Sequence, residues 1–343
     1  MLDNLKYIHQ RDGQDALGIA ERQWRQLQHE FEKPKIDGRF DSIVFAGMGG
    51  SALAGLLSQS WPGYSLPFEI CRQYHIPKYV SDKTLFIASS YSGNTEETLS
   101  ALAEAEAKGA KIVVIAGGGQ LQETAEAKNY PLMLIPKVEQ PRYSVLYSLK
   151  ALVTILEAAG LVQEAQATVS IHQAGDFLKQ KVATWTATVP TKDNPAKKLA
   201  EELAGKSIVI YGGPLMAPAA YKWKISFNEN AKNVAWWNQY PEFNHNEMIG
   251  WASHPIEKPY GVVDLRSNLE HPRVQKRFEV TEKLLSGRCP SPNVVEVQGE
   301  TILEQLLWAV AFGDFVSIYL ALLNNVNPAP VDLVEKFKLE LDK

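Results

Sequence analysis

The sequence predicts an α/β protein made of two parallel sheets, each flanked by helices in a doubly wound arrangement. Short apolar runs alternate with helical stretches along most of the chain, the pattern of strands joined by crossover helices. The run Ser42-Ile43-Val44-Phe45-Ala46-Gly47 returns as Ser207-Ile208-Val209-Ile210-Tyr211-Gly212, each followed by a loop and a helix, which implies duplication of one α/β unit. A length of 343 residues also exceeds what one hydrophobic core usually organises.

In chain order, Ala16, Ile19, Ala20, Trp24, Leu27 and Phe31 recur at three- and four-residue spacing. Residues 12–32 therefore read as one amphipathic helix that ends before Pro34 and packs across the first domain. Strands are expected at 42–46, 66–71, 85–89, 111–116 and 132–135, with a helix at 145–159 stopped by Gly160. A segment rich in Thr, Pro, Asp and Asn, 187–195, reads with the helical stretch before it as a connector. The second half repeats the pattern, with strands at 207–212, 233–237, 261–265 and 293–297. Helices are expected at 217–230, 270–285 and 301–323, and a last one at 331–341 follows Pro328 and Pro330. The expected domains are 1–160 and 161–343.

Composition narrows the function classes. A net charge of -4 without a long basic run offers no attraction for nucleic acid or an anionic membrane. Charges occupy the first ten residues where a signal peptide needs an apolar stretch, so a cytoplasmic protein is expected. Two distant cysteines, Cys71 and Cys289, suit a reducing compartment and read as buried small hydrophobes.

Two strand-loop-helix junctions carry the chemistry: Ala46-Gly47-Met48-Gly49-Gly50-Ser51 and Ser90-Tyr91-Ser92-Gly93-Asn94-Thr95. Glycines let backbone N–H groups approach an anion while hydroxyls add donors, so each junction is suited to phosphate. Neither contains the Gly-Lys-Ser/Thr of a Walker loop, which points to a small phosphomonoester. Gly47, Gly49 and Ala52, with Glu69, also fit a dinucleotide fingerprint, but that reading leaves the second junction without a task. Helix capping by Ser51 and by Asn94 with Glu97 is the structural alternative, and it accounts for one side chain per loop.

The pair Gly-Met-Gly-Gly-Ser and Ser-Tyr-Ser-Gly-Asn-Thr-Glu-Glu-Thr resembles the phosphosugar-binding signature of the sugar isomerase (SIS) domain, a flavodoxin-like fold. Phe227-Asn228-Glu229-Asn230-Ala231-Lys232 and Pro241-Glu242-Phe243-Asn244-His245-Asn246-Glu247 resemble the bifunctional phosphoglucose/phosphomannose isomerase family, which has two SIS domains in one chain. The resemblance implies a cofactor-free, metal-free aldose-ketose isomerase acting on hexose 6-phosphates as a homodimer with composite sites. It gives phosphate to Gly49, Gly50, Ser51, Ser90, Ser92 and Thr95, and proton shuttling between C1 and C2 to Glu229. Arg142 would stabilise the enediolate, while His245, entering from the neighbouring subunit, would open the sugar ring with Lys338.

Each of these residues also has a plain structural reading. Glu229 lies off the apolar face of Ala220, Trp223, Phe227 and Ala231, and Lys232 offers it a surface pair. Arg142 at a helix start opposes the dipole and reads as solvent-exposed, and His245 as a loop histidine. Lys338 lies beside the apolar stripe Leu333, Val334, Phe337 and Leu341, where a lysine stem covers apolar surface. His245, Glu247 and His254 give a weak metal reading without the cysteine pair of zinc deaminases. Val331 follows Pro330 where many family members have threonine, which makes mannose 6-phosphate the less secure substrate. The rivals are a sugar-phosphate sensor, an amidating synthase fragment, and an isomerase of pentose or heptose phosphates. A sensor would need a basic recognition surface, and a synthase an N-terminal cysteine nucleophile.

Overall fold

The computed structural model describes residues 1–253 and 259–341. The chain divides into two compact units, one of Arg22–Phe177 and one of Met1–Glu21 with Leu178–Lys343. This differs from the expected boundary at 160 and moves the N-terminal segment to the other unit.

After α1 (Leu5–Arg11), the expected helix of residues 12–32 is not one helix but two, α2 (Ala16–Arg22) and α3 (Trp24–Leu27). Asp12 delays the start to Ala16 by accepting from the Ala16 and Leu17 amides at 2.7 and 2.9 Å, with Asp15 at φ 54°, and the helix is interrupted at Gln23 and ends at Leu27. Tyr7 donates its hydroxyl to the Leu322 carbonyl at 2.6 Å and Asp3 accepts from the Thr191 amide, ties that hold residues 1–21 to the second sheet's unit. Farther on, Gln26 donates to the Tyr143 carbonyl and accepts from the Tyr147 amide, so α3 stays with the first.

The unit of residues 22–177 holds β1 (Ser42–Ala46), α4 (Gly49–Ser60), β2 (Phe68–Cys71), β3 (Thr84–Ser90), α5 (Glu96–Ala107), β4 (Lys111–Ala116), α6 (Gly119–Ala127), β5 (Leu132–Leu134) and α7 (Val145–Ala158). Its sheet is parallel throughout, in the order β2-β1-β3-β4-β5. All residues of β1 and β3 are buried, because helices cover both faces of a parallel sheet. From β1 the chain runs outward to β2 and then crosses to the other side for β3, so strand order reverses between β1 and β3. Such a switch point leaves a crevice outside the strands' carboxyl ends.

Helix α8 (Ala167–Val182) begins in the first unit and ends in the other, which continues through α9 (Pro195–Leu203), β6 (Ser207–Gly212), α10 (Ala217–Glu229), β7 (Ala235–Gln239), α11 (Glu247–Trp251), β8 (Tyr260–Arg266), α12 (Pro272–Leu285), β9 (Asn293–Glu296), α13 (Ile302–Leu323) and α14 (Asp332–Leu341). Where a connector was expected, Asn194 caps α9 by accepting from the Ala196 and Lys197 amides. The second sheet is also parallel, in the order β7-β6-β8-β9, and it reverses between β6 and β8. The duplication read from sequence thus reappears as topology: β1 and β6 each stand at their sheet's switch point. Helix α13 has the length and apolar composition of a membrane span, yet nearly all of it is buried inside the protein, as a core helix is. Cys71 is buried as expected, whereas Cys289 is half-buried.

Candidate active site

Both phosphate-type junctions lie at the carboxyl ends of β1 and β3, neighbours in the sheet with Ala46 opposite Ala88. Their hydroxyls do not cap helices. The capping positions of α4 and α5 are Met48 and Thr95, neither with a side-chain cap bond, and Asn94 accepts instead from the Gln120 amide at 3.0 Å. The capping alternative, with its Asn94–Glu97 box, therefore fails. Each serine instead serves as acceptor to a backbone N–H of the second loop. Ser51 Oγ accepts from Tyr91 at 3.1 Å, Ser90 Oγ from Gly93 at 3.1 Å and Ser92 Oγ from Asn94 at 3.3 Å. Ser90 and Thr95 share a hydroxyl–hydroxyl bond of 2.8 Å. One lone pair of each serine is thereby occupied and one O–H of the Ser90–Thr95 pair is spent within the pair, while the remaining O–H groups can turn to an anion as donors.

Arg142 joins this crevice from a 3₁₀ turn, Pro141–Tyr143, and is buried at 2% exposure, so the expectation of a solvated arginine is corrected. Its guanidinium stacks over the Tyr143 ring at 4.7 Å, where the aromatic face offsets part of the cost of burial. Gly50 packs on this turn: a Cβ there would lie 3.3 Å from Arg142 Cα and from the Pro141 carbonyl. A side chain at position 50 would push the arginine loop away from the helix start. The dinucleotide alternative fails at Glu69, which lies inside β2 and accepts the Tyr79 hydroxyl at 2.7 Å.

At the second switch point a carboxylate occupies the corresponding loop. Glu270, from the turn after β8, is 4% exposed and accepts from the Leu215 and Met216 amides at 2.8 and 3.3 Å, where α10 begins. Gly213 makes room for it, since a Cβ there would overlap the Glu270 carboxyl carbon. Burial pushes the Glu270 carboxyl up while the two amides hold it down. With its loop amides bonded to an internal anion, this half differs from the hydroxyl-lined first half. Sequence reading missed Glu270, although the duplication aligned the loop after β8 with the one after β3.

Glu229 is the last residue of α10 and is partly buried, beside the fully buried Trp223, Phe227 and Ala220. Its two asparagine neighbours fix the backbone: Asn228 donates to the Asn233 carbonyl at 2.9 Å and Asn230 to Ser317 Oγ at 2.9 Å. Lys232 donates to the main-chain carbonyl of Glu229 and to those of Pro328 and Pro330, so it acts as a C-terminal cap that ties α10 to the chain before α14. His245 ends a 3₁₀ turn, Glu242–His245, and is exposed. Lys338 departs from its expected setting: α14 buries no residue, and Lys338 pairs with Glu335 at 3.1 Å on an exposed surface. The metal reading loses Glu247, whose carboxylate accepts from Tyr211 and Asn238, and its third member, His254, lies outside the described residues. Seven candidates thus share the first unit's crevice, while Glu229, His245 and Lys338 occupy separate elements of the second unit.

Within β8, Asp264 is 3% exposed, and burial pushes its carboxyl up to about 6 despite the Arg266 guanidinium 3.1 Å away. A folded-state value above the ordinary 3.8 means that the fold favours the protonated acid. Its contribution is complete below about pH 4 and is lost as pH rises to about 6, a change of about 3 kcal/mol by linkage. Subtracting the urea-unfolding profile of Asp264→Asn from that of the natural protein between pH 4 and 6.5 should expose this slope. A flat difference would mean the carboxyl titrates normally.

Two parallel sheets, one with a hydroxyl-lined crevice at its switch point, define a protein of the sugar isomerase (SIS) class. Residues 192–341 match the family model described as bacterial phospho-glucose isomerase C-terminal SIS domain. The chain belongs to the bifunctional phosphoglucose/phosphomannose isomerase family. It is 36% identical over 305 residues to the protein of that name from Caldicellulosiruptor bescii, covering 88% of this chain and 89% of the relative. It is 37% identical over 320 residues to the one from Thermoplasma volcanium, covering 92% and 96%. In fold it is similar to a glucose-6-phosphate isomerase like protein from Thermus thermophilus, with a TM-score of 0.65, 19% identity and 98% of both chains covered.

Proposed function

We propose that the protein interconverts glucose 6-phosphate and mannose 6-phosphate with fructose 6-phosphate through an enediol, as a cytoplasmic, cofactor-free homodimer. The observation that carries this reading is the set of hydroxyls of Ser51, Ser90, Ser92 and Thr95 gathered at one switch point against buried Arg142. The N–H groups of Gly49 and Gly50 and these hydroxyls bind the 6-phosphate. His245 with Lys338 delivers a proton to the ring oxygen and removes one from the C1 hydroxyl. Glu229 carries the proton between C2 and C1, and Arg142 stabilises the oxyanion of the enediolate. A coupled assay from fructose 6-phosphate in chelator, reading the glucose and mannose products separately, tests it. Product of neither kind would sink the proposal, and glucose 6-phosphate alone would limit the activity to the glucose epimer.

Phosphate binding is felt equally in ground and transition states, so Ser51→Ala, Ser92→Ala and Thr95→Ala should raise KM more than they lower kcat. Each lost charge-assisted bond of about 1.5 to 3 kcal/mol corresponds to roughly a tenfold to hundredfold rise. Equal turnover of unphosphorylated glucose would remove the phosphate role from the loops.

Composite sites make a further demand. When inactive Glu229→Gln and inactive His245→Ala protomers exchange subunits, a mixed dimer contains one intact site. About half the dimers mix, so activity should recover to roughly a quarter of the natural level. If exchange is demonstrated and activity stays absent, His245 works within its own chain.

A further inference from the structure

We infer that Glu247 is a positioning residue for the ring-opening step, holding the turn that presents His245. The carboxylate bridges two neighbouring strands. Its Oε1 accepts from the Tyr211 hydroxyl on β6 and its Oε2 from Asn238 Nδ2 on β7 at 2.6 Å, and Tyr211 and Asn238 are register partners. One side chain at the start of α11 is thus held by two laterally paired strand residues. Tyr211 is 2% exposed, and burial beside the carboxylate pushes its phenol up, so it remains a proton donor to Glu247. The same hydroxyl accepts from the Trp251 indole at 2.9 Å, which returns the far end of α11 to the same point.

On the other side of His245, Asn244 donates to Thr281 Oγ1 at 2.8 Å and accepts from Arg277 Nη1 at 3.0 Å, both on α12. Phe243 is buried with its ring 4.5 Å from Tyr211 and 5.1 Å from Tyr240. Residues 243, 244 and 247 are therefore anchored to the body of the unit, while His245 and Asn246 between them are exposed. Glu247 is the charged anchor on the C-terminal side. A shift of about 1 Å in a proton-transfer group can cost two orders of magnitude in rate, so an anchor two residues away has a kinetic consequence.

This inference rests on the reading that His245 opens the sugar ring. Ring opening is observable by itself as enzyme-catalysed exchange between the α and β anomers of glucose 6-phosphate, measured by NMR exchange spectroscopy. In the intact dimer, Glu247→Gln keeps the acceptor for Tyr211 but removes the one for Asn238. It should lower anomer exchange and isomerisation together by about tenfold, with KM and the thermal midpoint nearly unchanged. Tyr211→Phe, which deletes one oxygen, should lower both rates in the same way, with a lower thermal midpoint because the Trp251 indole N–H loses its acceptor, and it decides the matter if Glu247→Gln folds poorly. Natural exchange rates in a folded Tyr211→Phe or Glu247→Gln protein would overturn the inference. His245→Ala measured alongside separates the two readings: if it retains anomer exchange, His245 is not the ring-opening group.

Discussion

Glu229→Gln should lose isomerisation by at least about two orders of magnitude while the sugar phosphate still binds. The substitution keeps the size of the side chain and removes its basicity, and a positioned acid/base group contributes about 10² to 10⁴ in rate. Little else should change. The backbone at this position is held by Asn228, Asn230 and Lys232 through bonds that the glutamine leaves in place. The phosphate hydroxyls belong to other elements. Because proton transfer occurs only on the way to the transition state, kcat and kcat/KM should fall by the same factor. Calorimetric binding of fructose 6-phosphate, compared with turnover in the coupled assay, measures both quantities. Near-natural turnover would assign the base to another residue, whereas loss of binding would give Glu229 a structural task.

How much was legible in the sequence depended on whether the deciding interaction was local. The strands were readable because a parallel sheet covered on both faces demands continuous apolar runs, and 42–46, 111–116 and 207–212 appear as read. Edge strand β7 was read two residues early: the apolar signal began at Asn233, which follows Lys232 in the left-handed region and lies outside the strand. The first helix failed because periodicity does not weigh where a helix starts and stops: the Asp12 carboxylate starts it only at Ala16, and it is interrupted at Gln23 and ends at Leu27. For Arg142 the reading failed on tertiary grounds. Nothing in Gln140-Pro141-Arg142 reveals that Gly50 packs on its backbone and Tyr143 beneath its guanidinium. Lys338 failed in the opposite direction, since an amphipathic pattern shows which face is apolar and not what covers it. The hydroxyls of Ser90, Ser92 and Thr95 were found from sequence because their bonds lie within five residues of one another, whereas Ser51, bonded to Tyr91 40 residues away, was found through its glycine-rich loop. Glu270, whose Leu215 partner stands 55 residues away, was not found, and Glu247, whose Tyr211 partner stands 36 residues away, was read only as a metal ligand.

The same distinction explains Lys222 and Asp314, and there the expected effect on stability is largest. Periodicity marks the buried face of α10 by Ala220, Trp223 and Phe227 and would leave a lysine outside. Lys222 and Asp314 are nonetheless each 1% exposed and paired across α10 and α13. Ser226 completes the cluster: it accepts from Lys222 Nζ at 2.7 Å and donates to Asp314 at 2.8 Å. Removing one partner leaves an uncompensated buried charge. Asp314→Ala should therefore cost about 3 to 5 kcal/mol, whereas replacing both by apolar residues, Lys222→Met with Asp314→Leu, should recover most of it. Denaturant unfolding, with hydrogen exchange at the α10 and α13 amides as the local readout, measures all three proteins. Recovery in the double variant would mean that the pair is retained for geometry, since it fixes the rotation of the helix whose last residue is Glu229. That account requires the stable double variant to show reduced kcat. A double variant as unstable as the single one would instead make the ion pair a net source of stability, and full stability in Asp314→Ala would mean that the pair contributes nothing to the fold.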